Sequence, residues 1–333
     1  MKTDGINRKI LKKRQQCIAV VFLFGLFNVN QTVNAIEYKT QSKTTSQINY
    51  SSDDTIKIKK IDSDESATFE SEPSSAVGID PAVQPVTETL KPKIKVIRPA
   101  VSIIIDDLGD RLKDGMRAVS LPAPYTYSFL PNTPFAKRLA IAANSMNKEV
   151  MLHIPMQATN GKKLGPNGLT SDMSREVFDK TLLDAFNSIP HVRGVNNHMG
   201  SLLTANKQNM SWVMNIVAHQ GNELYFVDSR TTAKSVIVQA AKENNINVLS
   251  RDTFIDFDTS KESISRQIQY LIKIAKKNGS AIGIAHPYPT TLEVLEIAWP
   301  IFYEQGVDLI PVSELITLKK QRELSEWRLS SSR

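Results

Sequence analysis

Cysteine is nearly absent: the 333 residues include one, Cys17. A single thiol excludes a disulfide-stapled scaffold and a thiolate-bound cluster. The chain must instead hold together through a buried apolar core, which a chain of this length can build. Long hydrophobic runs are missing too. The longest, residues 17–27, falls short of the roughly 17–25 apolar residues that a membrane-spanning helix needs. Glycine is sparse, and no glycine-rich loop follows the first apolar strand, which excludes a dinucleotide-binding turn. Positive charge is scarce outside the first residues. Of the net +7, Lys2, Arg8, Lys9, Lys12, Lys13 and Arg14 against Asp4 supply +5, leaving +2 for everything after residue 35. A nucleic-acid partner needs a basic face on the folded domain, so that class is excluded.

The basic start has a use of its own. It precedes the short apolar run and then Val33-Asn34-Ala35, with small residues at the two positions that a signal peptidase inspects. Residues 1–35 are expected to be a signal peptide, or an uncleaved N-terminal anchor, and the rest of the chain to be exported to the periplasm or cell envelope. Cys17 opens the apolar run instead of following it and is misplaced for lipid attachment. Residues 36–98 are polar, with prolines at 73, 81, 85, 92 and 99 marking the second half. Such composition buries too little surface to offset its ordering entropy, so this stretch is expected to be a disordered linker. The folded domain is expected over residues 99–320, with a C-terminal tail at 321–333.

Within that domain, residues 101–105 form a continuous β-branched run, the pattern of a strand buried on both faces. Further strands are expected at 125–130, 149–154, 193–196, 224–227, 247–249, 281–285 and 308–310. Apolar residues recur at helical spacing over 134–147, 174–189, 207–219, 233–244, 262–277 and 292–304. Short strands alternating with helices of this length predict an α/β fold with a parallel sheet. Their number in about 220 residues fits a distorted (β/α) barrel of about seven strands better than an open sheet.

In such a barrel the active site lies at the C-terminal ends of the strands. Asp106 and Asp107 stand at the first, His153 within the third, and Asn197 and His198 after 193–196. Asp228 and Arg230 follow 224–227, Arg251 and Asp252 follow 247–249 with Asp256 beyond, and His286 follows 281–285. Paired aspartates are commonly caps or turn residues, and a lone histidine is commonly a hydrogen-bonded rim residue. The convergence is what counts: three of the five histidines and four aspartates fall on one rim. Carboxylate and imidazole together suit a divalent transition ion, zinc above all.

Asp106-Asp107, residues 148–156 with His153, Gly194-Val-Asn-Asn-His-Met-Gly200, Phe226-Val-Asp-Ser-Arg230 and Gly283-Ile-Ala-His-Pro287 resemble the divergent polysaccharide deacetylase family. That family is a branch of the carbohydrate esterases that share the NodB homology domain. The resemblance covers nearly all of the folded part and implies a distorted (β/α) barrel. It further implies Asp106 as general base, Asp107 as metal ligand, His153 as a second ligand and His286 as general acid. Gln157 stands where a second histidine of the motif belongs, and His198 is the candidate third ligand in its place. Asn197, Asp228, Arg230, Arg251 and Asp252 are expected to touch substrate or to orient these groups, Asp228 alone or paired with Arg230.

The function expected is metal-dependent removal of acetyl groups from an N-acetylated glycan polymer by a monomeric protein. A second expectation is a non-catalytic module of the same fold that binds glycan or an envelope protein, which Gln157 favours. Of the aromatics near strand ends, Tyr125, Tyr127, Phe129, Tyr225 and Phe226 are expected in the core, and Tyr288 at the surface. Residues 318–327 have the look of a basic, solvated terminal helix.

Overall fold

The structure is a computed structural model that describes residues 98–221 and 223–331. The expected signal peptide and nearly all of the expected linker lie outside them. Nine strands and eight helices alternate: β1 (Ala100–Leu108), α1 (Leu112–Val119), β2 (Thr126–Phe129), α2 (Ala136–Ser145), β3 (Glu149–Met156), α3 (Arg175–Ser188) and β4 (Val192–Met199). Then come α4 (Lys207–His219), β5 (Tyr225–Asp228), α5 (Ile237–Glu243), β6 (Asn247–Ser250), β7 (Thr253–Phe254), α6 (Lys261–Asn278), β8 (Ser280–Ala285), α7 (Pro289–Glu304), β9 (Asp308–Leu309) and α8 (Val312–Ser331). Local chemistry sets several boundaries. The Ser174, Asn206 and Ser260 side chains accept from backbone N–H groups at the starts of α3, α4 and α6. Gly279, at φ 83°, ends α6 in the left-handed conformation that glycine adopts without strain.

All strand pairs are parallel, in the order β6-β5-β4-β3-β2-β1-β8-β7, with β9 against the first residues of β1. Arg251 donates its backbone N–H to Asp228, on the β5 side, whereas Asp252 donates to Ile282 on β8. One course of chain, β6 into β7, therefore borders both edges of the curled sheet. This is the distorted (β/α) barrel.

Side-chain alternation divides the core. Val101, Ile103 and Ile105 of β1 pack outward against the helices, as do Val150, Leu152 and Ile154 of β3 and Phe226 of β5. Ala100 and Ile104, Met151, Tyr225 and Val227, and Ile282 and Ile284 point inward, where Val312, Leu315 and Ile316 at the start of α8 plug the barrel. Glu149 accepts from Thr126, Tyr225 and the Ser313 N–H, seating that helix. The boundary expected at residue 320 falls inside α8, which runs unbroken to Ser331. No helix among the described residues is long and apolar enough to cross a membrane.

Candidate functional site

The inward alternation carries polar residues to the C-terminal end of the barrel. On β1 the inward row ends in Asp106, on β2 in Ser128, on β3 in His153, and on β4 in Asn196 and His198. Successive residues of a regular strand face opposite ways, so Asp107 ought to point at the helices. It does not, because β1 carries one extra residue between Ile105 and Leu108 relative to β2, and Asp107 occupies the left-handed region at φ 56°. This bulge turns two successive carboxylates toward the same cleft and returns Leu108 to the outer core.

Asp107, His153 and His198 meet there. Asp107 Oδ1 lies 3.1 Å from His153 Nε2 and 2.9 Å from His198 Nδ1. His286 Nε2 is 3.9 Å from Asp107 Oδ2, and Asp106 Oδ2 is 3.7 Å from His153 Nε2. Asp106 and His153 are buried, Asp107 and His286 partly so. Thus Asp106, Asp107, His153, His198 and His286 form one cluster.

The other expected residues are placed elsewhere, and alternation explains two of them. Asn197 and Asp228 continue the outward rows of Val195 and Phe226. Asn197 donates to the Met199 carbonyl and accepts from the Ser229 N–H, tying the ends of β4 and β5. Asp228 accepts from the Arg230 N–H and shapes its own turn. No Asp228–Arg230 ion pair forms among the described residues, so this pair does not orient the imidazoles. Arg230 is exposed. Arg251 donates to the Ser229 and Arg230 carbonyls and lies 3.7 Å from the Phe254 ring centroid. Asp252 accepts from the Ile282 N–H. Gln157 accepts from Ser171 N–H and Oγ and braces the loop after β3 instead of facing the cluster.

Three residues that complete the cluster were missed by the sequence reading of site residues. Asp256, two residues past Phe254 on the inward row, accepts from the His286 backbone N–H at 2.6 Å, from His286 Nδ1 at 2.9 Å and from Thr291 Oγ1 at 3.1 Å. Asn196 and Ser128 lie between Asp106 and His153. The available signal was alternation: counting back two from His198 reaches Asn196, not Asn197.

Charge differs sharply across the site. Burial pushes the Asp106 carboxyl above its usual range, although His153, His286 and the Asn196 amide favour the ionised form. Burial acts the same way on Asp107, but the close approach and charge of the His153 and His198 rings outweigh it and hold that carboxyl well below the usual range. For His286, burial works against the charged ring. Asp256, with help from Asp106 and Asp107, overcomes it and pushes the imidazole up to about 9.

The donor set fits a divalent cation. His153 Nδ1 lies 2.7 Å from the Asn196 carbonyl oxygen, an acceptor that keeps a proton on Nδ1 and makes Nε2, beside Asp107, the nitrogen available to an ion. Asp107 Oδ1 is buried and receives no well-directed hydrogen bond despite the two nearby ring nitrogens. One ligand atom from each of Asp107, His153 and His198 lies within 4.8 Å of the others, the spacing of atoms that share a central ion. One oxygen and two nitrogens also make an incomplete set for zinc, whose catalytic sites keep a position open.

A cavity of about 320 Å³ opens beside Asp107 and His198, between Leu130, Pro155 and Lys163. Beyond the Lys163 loop a second, of about 580 Å³, runs past Gln157 and Thr170. Tyr288 is 45% exposed, as expected, and its ring lies 5.7 Å from that of His286. The five other aromatics near strand ends are buried. A cavity of about 320 Å³ at the opposite end, lined by Arg193, Glu223 and Lys320, faces none of the clustered groups.

A family model described as divergent polysaccharide deacetylase matches residues 103–316. An uncharacterized protein of Escherichia coli, YibQ, is 33% identical over 201 residues, 60% of this chain and 62% of that one. An uncharacterized protein of Haemophilus influenzae is 36% identical over 196 residues, 59% of this chain and 69% of that one. The chain thus spans less than two thirds of the Escherichia coli relative. The crystal structure of an uncharacterized protein from Agrobacterium tumefaciens shares the fold, at 24% identity and a TM-score of 0.63, covering 66% of this chain and 90% of that one.

Proposed function

The chain belongs to the divergent polysaccharide deacetylase family, and from that premise we propose that it is a zinc-dependent hydrolase removing acetyl groups from an N-acetylated glycan of the cell envelope. The observation that carries this reading is the meeting of Asp107, His153 and His198 at one point, flanked by the buried Asp106 carboxyl and the His286 imidazole, both with raised proton affinity.

Asp107, His153 and His198 would hold the ion. When bound, it supplies Lewis acidity, polarising the amide carbonyl and easing the ionisation of water near neutral pH. Asp106 takes the proton from the attacking water. Its raised proton affinity suits a base that must be ionised at rest and still accept a proton. His286 donates the proton that the departing amine needs. Asp256 accepts from Nδ1, so the second N–H, on Nε2, is turned toward the cleft. The exposed Tyr288 ring beside His286 offers a sugar a face to stack on. The substrate is a glycan outside the cytoplasm, in keeping with the leader expected at residues 1–35.

Gln157 no longer favours a non-catalytic module, since its amide is engaged by Ser171 and a histidine from β4 stands beside Asp107 in its stead. The test is elemental analysis of protein purified without added metal, beside Asp107→Ala and His198→Ala, followed by acetate release from N-acetylglucosamine oligomers. About one zinc per chain, lost in both variants, with acetate released only by the unaltered protein, is expected. A chain that takes up no zinc on titration would sink the hydrolase reading.

A further inference from the structure

Asn196 has no solvent exposure, yet all its polar atoms are used. Its Oδ1 accepts from Ser128 Oγ at 2.6 Å and from His153 Nδ1 at 2.7 Å, and its Nδ2 donates to Asp106 Oδ1 at 2.8 Å. Asn196 and His153 are direct partners across β3 and β4, which sets the two side chains next to each other. The bond to Asp106 reaches from β4 to β1, with β3 and β2 between them in the sheet.

The amide has only one satisfactory orientation. An ionised carboxylate accepts hydrogen bonds and donates none, so the NH₂ group must face Asp106 and the carbonyl must face His153 and Ser128. With the carbonyl there, His153 keeps a proton on Nδ1, and Nε2, 3.1 Å from Asp107 Oδ1, is the ring nitrogen left to turn to an ion. The same amide occupies Asp106 Oδ1, leaving Oδ2 as that carboxylate's free oxygen. A single neutral side chain thus holds both the group that would bind the ion and the group that would take the proton.

We propose that Asn196 is the positioning residue of this site, its carbonyl setting the metal-binding face of His153 and its amide setting the basic oxygen of Asp106. This rests on the zinc-hydrolase reading above and adds to it a residue outside the ligand and acid–base set. Neither half tolerates a simple exchange. Aspartate keeps an acceptor for His153 but loses the donor to Asp106 and sets a second negative charge beside it. Leucine keeps the bulk and loses both bonds.

The experiment compares the full chain with Asn196→Asp, Asn196→Leu and Ser128→Ala, measuring zinc affinity by competition with a chromophoric chelator, turnover at saturating zinc, and thermal melting. Asn196→Leu is expected to bind zinc 10–100-fold more weakly, the usual loss when a ligand's outer partner is removed. Asn196→Asp is expected to keep zinc affinity within a few-fold while kcat falls by more than about 10-fold at an unchanged KM. Ser128→Ala, which leaves Asn196 in place, is expected to weaken zinc by only a few-fold and guards against a leucine variant that fails to fold. A merely structural role would lower zinc binding and turnover together in both Asn196 variants, in step with melting, and that result overturns the proposal. Zinc bound alike by all four chains overturns it too. An unaltered chain without zinc overturns the hydrolase reading and this inference with it.

Discussion

At the scale of single residues, His286 gives the clearest forecast. Its proton affinity reflects a contest: burial disfavours the charged ring, and the Asp256 carboxylate more than offsets that, holding it up to about 9. A group raised in this way keeps its proton below that value and loses it as pH climbs through it. Turnover of the zinc-loaded protein is therefore expected to hold through neutral pH and fall on its alkaline side. In Asp256→Asn the ring loses its charged partner, and the falling limb should move at least about one unit toward the ordinary histidine value of about 6.5. The check is kcat against pH for both proteins; superimposable limbs would show that Asp256 does not set the acid. The histidines and the first aspartate pair were legible in the sequence because each falls at or near the end of an expected strand. Asn197 and Asp228 were misread for the same reason, since adjacency to a strand end says nothing about which face a side chain takes. Asn196 was passed over because an amide inside a strand carries no signal until its inward row is counted.

Among elements, most of the strands and helices could be read from periodicity, and the exceptions have local causes. α1 is only 8 residues long and carries a glycine, Gly115, pressed against Leu139 of α2, so its apolar stripe is too brief to register. β7 is 2 residues and reads as an extension of β6. β3 and β4 run further than expected because Pro155 and Met156 stay in register with His198 and Met199, continuing the pair past the point where the apolar pattern stops. Gly194 on β4 was legible only as part of a motif; its reason is packing. A Cβ there would sit 2.2 Å from the Tyr225 ring, whose hydroxyl is held by Glu149. Gly194→Ala must displace that ring and is expected to cost about 1–3 kcal/mol, the usual penalty of overpacking, measured as a lower urea midpoint at unchanged m. Because Tyr225 lies at the opposite end from the cluster, zinc affinity should change little.

On the scale of the whole molecule, barrel architecture was legible from strand and helix alternation and from the family resemblance. Its manner of closure was not. Neighbouring strands in a barrel are joined by backbone ladders, and nothing in composition reveals that one strand gives half its length to each neighbour. Here β6 lies on β5, β7 lies on β8, and Arg251 and Asp252 make the transfer between them. Part of the join is made by side chains: the Asp252 carboxylate accepts from the Ile282 N–H, and the Arg251 guanidinium donates to the Ser229 and Arg230 carbonyls.

That transfer makes the barrel a hoop with a clasp. Elsewhere around its circumference, parting two strands means breaking a ladder backed by buried aliphatic side chains on both faces. At the clasp it means parting the two-residue β7–β8 pairing and the few bonds around it, one of them made through the flexible Asp252 carboxylate. The molecule should therefore breathe there first, with the two sides swinging about β1–β4 as a rigid arc. Amide hydrogen exchange would record it. The N–H groups of Asp252 and Ile282 are expected to exchange faster than those of Ile103 and Leu152, and Asp252→Ala should widen the gap without speeding exchange in the arc. Uniform protection around the ring would mean that the clasp is as tight as the rest. On the proposed hydrolase reading, a hoop that loosens at one point admits a bulky polymer while the arc holding Asp107, His153 and His198 stays still.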